Sequence, residues 1–335
     1  ALRRPADHER IGCAQLQHLF GLFRAFDITV CDDWNTGGLM ELIRGLHNLT
    51  ARHRGCAATI GNFDGLHLGH QSVLGQLSER ADELGLATVV IVFEPQPQEY
   101  FAPDEAPPRL TRFREKIKAL HRFAVDRVLC LRFDHGLASL EAEDFIQRIL
   151  IDGLDVKYLV VGDDFRYGRG RKGTFASLEE AGRASGFPVV NMHTFSAGGE
   201  RISSTRIRQA LASGDLDTAE SLLGRPYRMC GRVAYGDQRG RTIGYPTANI
   251  YLHRKAAPVD GVFAVELFGV EGEPLAGVAN VGTRPTVDGT RSLLEVYLFD
   301  FDRDIYGRYV DVDFLHKLRP ERRFESFDLL RQQID

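Results

Sequence analysis

Residues Thr59 to His70 read TIGNFDGLHLGH, a short apolar run that gives way to three glycines, an aspartate and two histidines. The run predicts a strand over 57–63, and the periodic segment after it a helix near 69–84. A helix starting at Gly69 sets His67 and His70 close together at its N-terminus, where free backbone N–H groups and the helix dipole favour an anion. Imidazoles there can add donors to phosphate oxygens, and Gly61 and Gly65 let the backbone approach a nucleotide closely. A zinc site is the weaker reading, because two histidines need a third ligand that no nearby motif supplies. A purely structural pair inside the turn is the remaining alternative.

The same texture continues downstream. β-rich runs at 88–94, 125–133, 156–162 and 188–195 alternate with helix-like segments near 111–122, 141–152 and 174–185. This alternation predicts an α/β fold: a parallel, Rossmann-like sheet with its ligands beyond the carboxyl ends of the strands. After Gly224 the chain becomes a series of β-rich runs broken by Gly, Pro and Asp, which predicts an all-β antiparallel barrel or sandwich followed by a terminal helix from about 321 to 334. Gly224 and Pro226 mark the boundary, giving modules at 40–224 and 225–335. Residues 1–39 fit neither pattern. An extension upstream of the natural start is the simplest account of them, and a docking or regulatory arm the alternative.

Composition narrows the class. A chain of 335 residues suits two domains, and 43% hydrophobic with 26% charged residues is ordinary for a globular protein. No apolar run approaches the roughly 20 residues that cross a bilayer, and no signal peptide is visible, so no membrane role and a cytoplasmic location are expected. A net charge of -4 argues against a general grip on nucleic acid. The five cysteines form no CxxC pair and are expected to be reduced thiols, some of them buried. The oligomeric state is not legible.

A second motif lies in the barrel half: GDQRGRTIGYPTANIYL, residues 236–252. A glycine- and arginine-containing loop leading into Pro246, Thr247, Ala248 and Asn249 brings a hydroxyl and an amide oxygen beside backbone donors, a set suited to Mg²⁺ with phosphate. No GxxxxGK[ST] occurs, so a P-loop is not part of this site.

GNFDGLHLGH resembles the HxGH signature of the nucleotidylyltransferase superfamily, and in its wider form the FMN adenylyltransferase module of bacterial bifunctional riboflavin kinase/FAD synthetases. VGDDFRYGRGRKG (161–173) is similar to that family's flavin-contacting segment, with Tyr167 where phenylalanine is usual. RISSTRIR (201–208) is similar to its second phosphate motif, and YPTAN with the later barrel segments resembles its riboflavin kinase half. The resemblance implies a HIGH-type adenylyltransferase domain followed by a riboflavin kinase barrel. Riboflavin would be phosphorylated to FMN and FMN adenylylated to FAD, with ATP as co-substrate, Mg²⁺ as cofactor and pyrophosphate released.

By the same resemblance His67 and His70 would act on the ATP phosphates, with Gly61, Asn62, Phe63, Asp64 and Gly69 forming the turn around them. Arg201, Ser204, Thr205 and Arg208 would complete the phosphate cradle, and Asp164, Phe165 and Arg166 would contact flavin. In the kinase half Gly244 and Pro246 would lie on ATP, Thr247 and Asn249 on Mg²⁺, and Glu295 would be the base for the riboflavin 5′-hydroxyl. The alternative for Glu295 is a solvent-side strand carboxylate. Arg169, Arg171 and Lys172 fit a solvated basic loop as well as a phosphate contact. The rival functions are an adenylyltransferase for another phosphate ester, which a second module of kinase type argues against, and a flavin-binding regulatory protein without turnover.

Overall fold

The computed structural model describes residues 40–162, 164–192, 196–197, 200–235, 246–286 and 289–322. The expected terminal helix, the first 39 residues, Gly244, Cys13 and Cys31 lie outside them.

Six parallel strands form the first sheet, in the order Glu41–Arg44, Arg127–Arg132, Ala87–Glu94, Cys56–Ile60, Val156–Gly162 and Val189–Met192. Cys56–Ile60 is buried at every position, as a strand covered on both faces must be, which is why the run reads as continuously apolar. From that strand the chain first winds to one side of the sheet and later returns to the other through Val156–Gly162. The topological switch point, where such sheets bind ligands, therefore lies between these two neighbours. The TIGNFDG turn leaves the carboxyl end of one, and the VGDDFRYG segment the carboxyl end of the other.

Helices Leu68–Leu84, Phe113–His121 and Phe175–Ser185 cover the sheet, with a helical segment over 142–151 whose second half, Ile146–Ile151, widens to a π-helix. Two differences from expectation have local causes. Glu41–Arg44 is a strand because it finds an edge partner in Arg127–Arg132. The strand expected over 57–63 stops at Ile60, because the chain turns at Gly61 and Phe63 takes φ 46°.

The second half is a closed six-stranded antiparallel barrel. Its order is Thr247–Tyr251, Gly289–Leu298, Leu275–Thr286, Gly261–Phe268, Tyr309–Arg319 and Tyr227–Ala234, which pairs back to the first. Helices Ser204–Ser213 and Leu216–Leu223 precede it, and their apolar residues Ile207, Leu211, Leu216 and Leu222 share one buried cluster with Met229, Phe263 and Phe314 of the barrel. The second phosphate motif is thus carried by a helix whose apolar side joins the barrel's buried cluster, next to Leu216–Leu223. Cys56 and Cys230 are free thiols, each pushed up to about 12 by burial, and Cys130 is also free and buried.

Candidate active sites

Asp64 anchors the first site from beneath. Only 2% exposed, its carboxylate accepts the amides of Leu110 (3.1 Å) and Thr111 (2.8 Å) and the Thr111 hydroxyl (3.1 Å), and it meets Arg208 at 2.5 Å. Thr111 Oγ1 also accepts the amide of Gly65 at 3.0 Å, and Ser204 Oγ donates to the Asp64 carbonyl at 2.9 Å. The start of Ser204–Ser213 is thereby tied to the turn that starts Leu68–Leu84. Two helix N-termini converge there, each favouring an anion. Phe63, Gly65 and Leu66 take φ of 46°, 87° and 43°, and a Cβ on Gly65 would stand 2.8 Å from Leu110 Cδ1. Positive φ at two non-glycine residues is strain of the kind that clusters at ligand-binding turns.

His67 caps its helix: Nδ1 accepts the His70 backbone N–H at 3.3 Å. With Nδ1 an acceptor, the ring proton sits on Nε2, which is left free to donate. The two imidazoles stack 3.7 Å apart at 15°, and His70 also lies against Phe63 at 5.0 Å. Burial pushes His67 down to about 4, with Asp64 opposing the shift and Arg201 and Arg208 adding to it. Burial drives His70 well below the usual imidazole range, and His67 and Lys116 push it further. Both rings are therefore neutral at neutral pH, so each has one N–H to donate and no positive charge. His70 Nδ1 is buried with no protein partner.

The other sequence-named residues gather around this centre in different ways. Phe63 is a core side chain, so only its backbone is available to a ligand; Gly61, Asn62 and Gly69 are half-buried. Arg201 pairs with Asp164 at 2.7 Å, joining the second phosphate motif to the flavin-type segment, and Thr205 and Arg166 are exposed. Phe165 stacks on Tyr167 at 5.6 Å, and the hydroxyl that distinguishes Tyr167 from phenylalanine is bonded to Ser177 at 2.9 Å. Arg169 and Lys172 are exposed and pair with Glu141 at 3.3 and 3.7 Å. A cavity of about 410 Å³ opens beside Thr205 and Arg208 and reaches Ala257 and Pro258 of the barrel.

Sequence reasoning passed over Thr111, Lys116 and an aromatic group. Lys116 is fully buried with no hydrogen-bond partner for Nζ, and burial lowers its pKa while Asp64 and Glu94 oppose that shift. Its position one residue before Ile117 and four before Leu120, both core residues, could have revealed it. Tyr100, Phe101 and Phe133 pack edge to face just past the carboxyl ends of Ala87–Glu94 and Arg127–Arg132, with Phe101 64% exposed.

The second group lies on the outside of the barrel. Ala248, Ile250, Leu294 and Val296 point into the core, so the alternate residues Thr247, Asn249 and Glu295 share the outer face. Asn249 is paired directly with Glu295, which on its other side is paired with Asn280. Asn249 Nδ2 donates to the Thr247 carbonyl at 3.3 Å, which turns Oδ1 the other way. Pro246 is exposed beside them. No group of three or more His, Cys, Asp or Glu suited to a metal occurs among the described residues. The hydroxyl and amide oxygens of Thr247 and Asn249 are hard donors, a fit for Mg²⁺ rather than zinc.

A parallel sheet with two helix N-termini meeting at its switch point is joined to a six-stranded barrel, and family models match both parts. FAD synthetase matches residues 49–206, and riboflavin kinase residues 223–335. The chain is 54% identical over 296 residues to the bifunctional riboflavin kinase/FMN adenylyltransferase of Escherichia coli (strain K12), covering 88% of this chain and 95% of that protein. It is 52% identical to the protein of the same name from Haemophilus influenzae, covering 88% and 96%. A solved structure described as a macrolide-efflux protein of Streptococcus pneumoniae is similar over both modules: TM-score 0.75, 32% identity, 88% of this chain and 96% of that one. The chain belongs to the bifunctional riboflavin kinase/FMN adenylyltransferase family, transferases of flavin cofactor biosynthesis.

Proposed function

We propose that the family's two reactions run at the two sites described: ATP-dependent phosphorylation of riboflavin on the barrel, and adenylylation of FMN to FAD at the switch point of the sheet. The observation that carries this reading is the pair of helix N-termini joined through Asp64, with the stacked neutral histidines between them. The module limits that go with it are 40–224 and 225–335, supported by a parallel sheet ending at Met192 and a barrel beginning at Tyr227.

At the first site an FMN phosphate oxygen displaces pyrophosphate from the α-phosphorus of ATP. The chain binds and orients; no covalent intermediate on a side chain is needed. His67 donates from Nε2–H to a phosphate oxygen, His70 adds its ring beside it, and Ser204, Thr205 and Arg208 meet the phosphates from the other helix. Asp64 sets the spacing between the two helix starts. Asp164 and Phe165 face the flavin, and Arg201 spans from Asp164 to the phosphates.

At the second site Thr247 and Asn249 would hold Mg²⁺, which when bound supplies charge neutralisation on the ATP phosphates. Glu295 accepts the proton of the riboflavin 5′-hydroxyl as that oxygen becomes the nucleophile. The test is to incubate the full chain with riboflavin, ATP and Mg²⁺ and to follow FMN and FAD. His70→Ala should stop at FMN, which accumulates, with the fold intact. Loss of both products together, or continued FAD formation, would overturn the two-site reading.

A further inference from the structure

Arg254 follows the barrel strand that carries Thr247 and Asn249, yet its guanidinium serves the sheet half. Only 2% of its side chain is exposed. Nη1 donates to the carbonyls of Arg109 (2.7 Å) and Leu110 (3.3 Å) and to the Tyr227 hydroxyl (3.1 Å), and Nη2 to Glu115 at 2.6 Å. Tyr227, on the first barrel strand, itself donates to the Leu110 carbonyl at 3.0 Å. The carbonyl side of the 109–110 segment is therefore fastened by the barrel, while the amides of Leu110 and Thr111 hold the Asp64 carboxylate.

Two further bonds join the halves: Arg225 donates to the Gly65 carbonyl at 2.9 Å and the Cys230 amide to Glu115 at 3.0 Å. Within the sheet module Gln71 donates to the Leu223 carbonyl at 2.8 Å. A planar guanidinium with several donors in fixed directions suits this task, since one group can grip two carbonyls, a hydroxyl and a carboxylate at once.

We propose that Arg254 is a positioning residue for adenylyl transfer supplied by the kinase barrel, holding residues 109–111 against Asp64 so that the two helix starts keep their spacing. This rests on the switch-point site being the adenylyltransferase site. The effect belongs in turnover, because a displacement of about 1 Å in a positioned site costs on the order of 10² in rate.

The test uses the full chain and measures both reactions. Arg254→Met should lower turnover of FMN to FAD by about 10- to 100-fold, with smaller changes in KM and with riboflavin phosphorylation at the parent's level. Arg254→Lys, which keeps the charge on Glu115 without the fork, should restore part of it, and serves in its place if the Met variant does not fold. Lys255→Ala, which removes an exposed contact across the same interface to Asp104 and Pro103, should change neither reaction. Combined with Thr111→Val, Arg254→Met should add little further loss, because both act through the same segment.

Unimpaired FAD formation in a folded Arg254 variant overturns the proposal. So does a parallel fall of both reactions, or losses that multiply with Thr111→Val. His70→Ala run alongside separates the two readings. If it is inactive while the Arg254 variants are not, the site stands and the Arg254 role falls. If it still makes FAD, the site assignment itself fails and the role falls with it.

Discussion

Asn249 and Glu295 face each other across the antiparallel ladder on the outer surface of the barrel, so the amide expected to bind Mg²⁺ and the carboxylate expected to take the proton are direct neighbours. Glu295→Gln keeps the shape and removes proton acceptance. Kinase turnover should fall by about 10² to 10⁴, with little change in KM for riboflavin or ATP and with supplied FMN still converted to FAD. Turnover within a few-fold of the parent, at about the scale of a lost hydrogen bond, would remove Glu295 from the role of base. A fall that only follows affinity would make it a binding residue.

Burial of the histidine pair makes stability depend on pH. His67 titrates near 4 in the folded chain against an ordinary value of 6.5, and His70 shifts in the same direction. Above 6.5 both states are neutral and the full stability is present. As the pH falls from 6.5 toward 4 the unfolded chain takes up a proton that the folded chain refuses, and stability drops by up to about 1.4 kcal/mol per pH unit for each such group. Urea unfolding at several pH values should show this slope, and His67→Asn should flatten it. An unchanged slope in the variant would place the proton uptake elsewhere.

Asp64→Asn tests the anchor. The variant loses the charge facing Arg208 and offers an NH₂ group where backbone N–H groups also point. Breaking a largely buried pair of this kind costs about 3 kcal/mol, so the melting temperature should drop and FAD formation with it. Stability equal to the parent's would show that the turn is held by other contacts.

Phe101 offers an exposed ring at the carboxyl edge of the sheet, braced by Tyr100 and Phe133. A planar tricyclic ligand can stack there. Phe101→Ala should weaken FMN binding by about 1 kcal/mol, several-fold in affinity, as read by titration of the variant with FMN. Kinase KM for riboflavin should not move. Unaltered FMN affinity would locate the flavin ring away from this group.

The central strands were legible because a parallel strand buried on both faces must be apolar throughout, as Cys56–Ile60 and Ala87–Glu94 are. Glu41–Arg44 was not, since four residues whose pattern is half exposed become a strand only through an edge partner more than 80 residues away. The histidine turn and the barrel motif could be read because their chemistry is local. The supports of the turn could not: Thr111, Arg225 and Arg254 reach it or its neighbours from positions that no periodicity connects to Asp64. Lys116 was legible in principle, as a charge on the apolar face of its helix, but only the fold shows that this face lies under the histidines' turn.

The helix carrying Ser204, Thr205 and Arg208 packs on Leu216–Leu223, which in turn packs on the barrel strands Tyr227–Ala234 and Tyr309–Arg319, and its apolar residues belong to the barrel's buried cluster rather than to the sheet's. On a translating ribosome the sheet emerges first, yet the buried cluster that takes in Ile207 and Leu211 is not complete until the strand containing Phe314 has been made. Between the completion of Val189–Met192 and that of Tyr309–Arg319 the nascent chain therefore carries a finished sheet beside a helix whose packing is still incomplete. Truncation by a premature stop within the barrel would leave an apolar helix face uncovered, a surface that invites chaperone capture or aggregation.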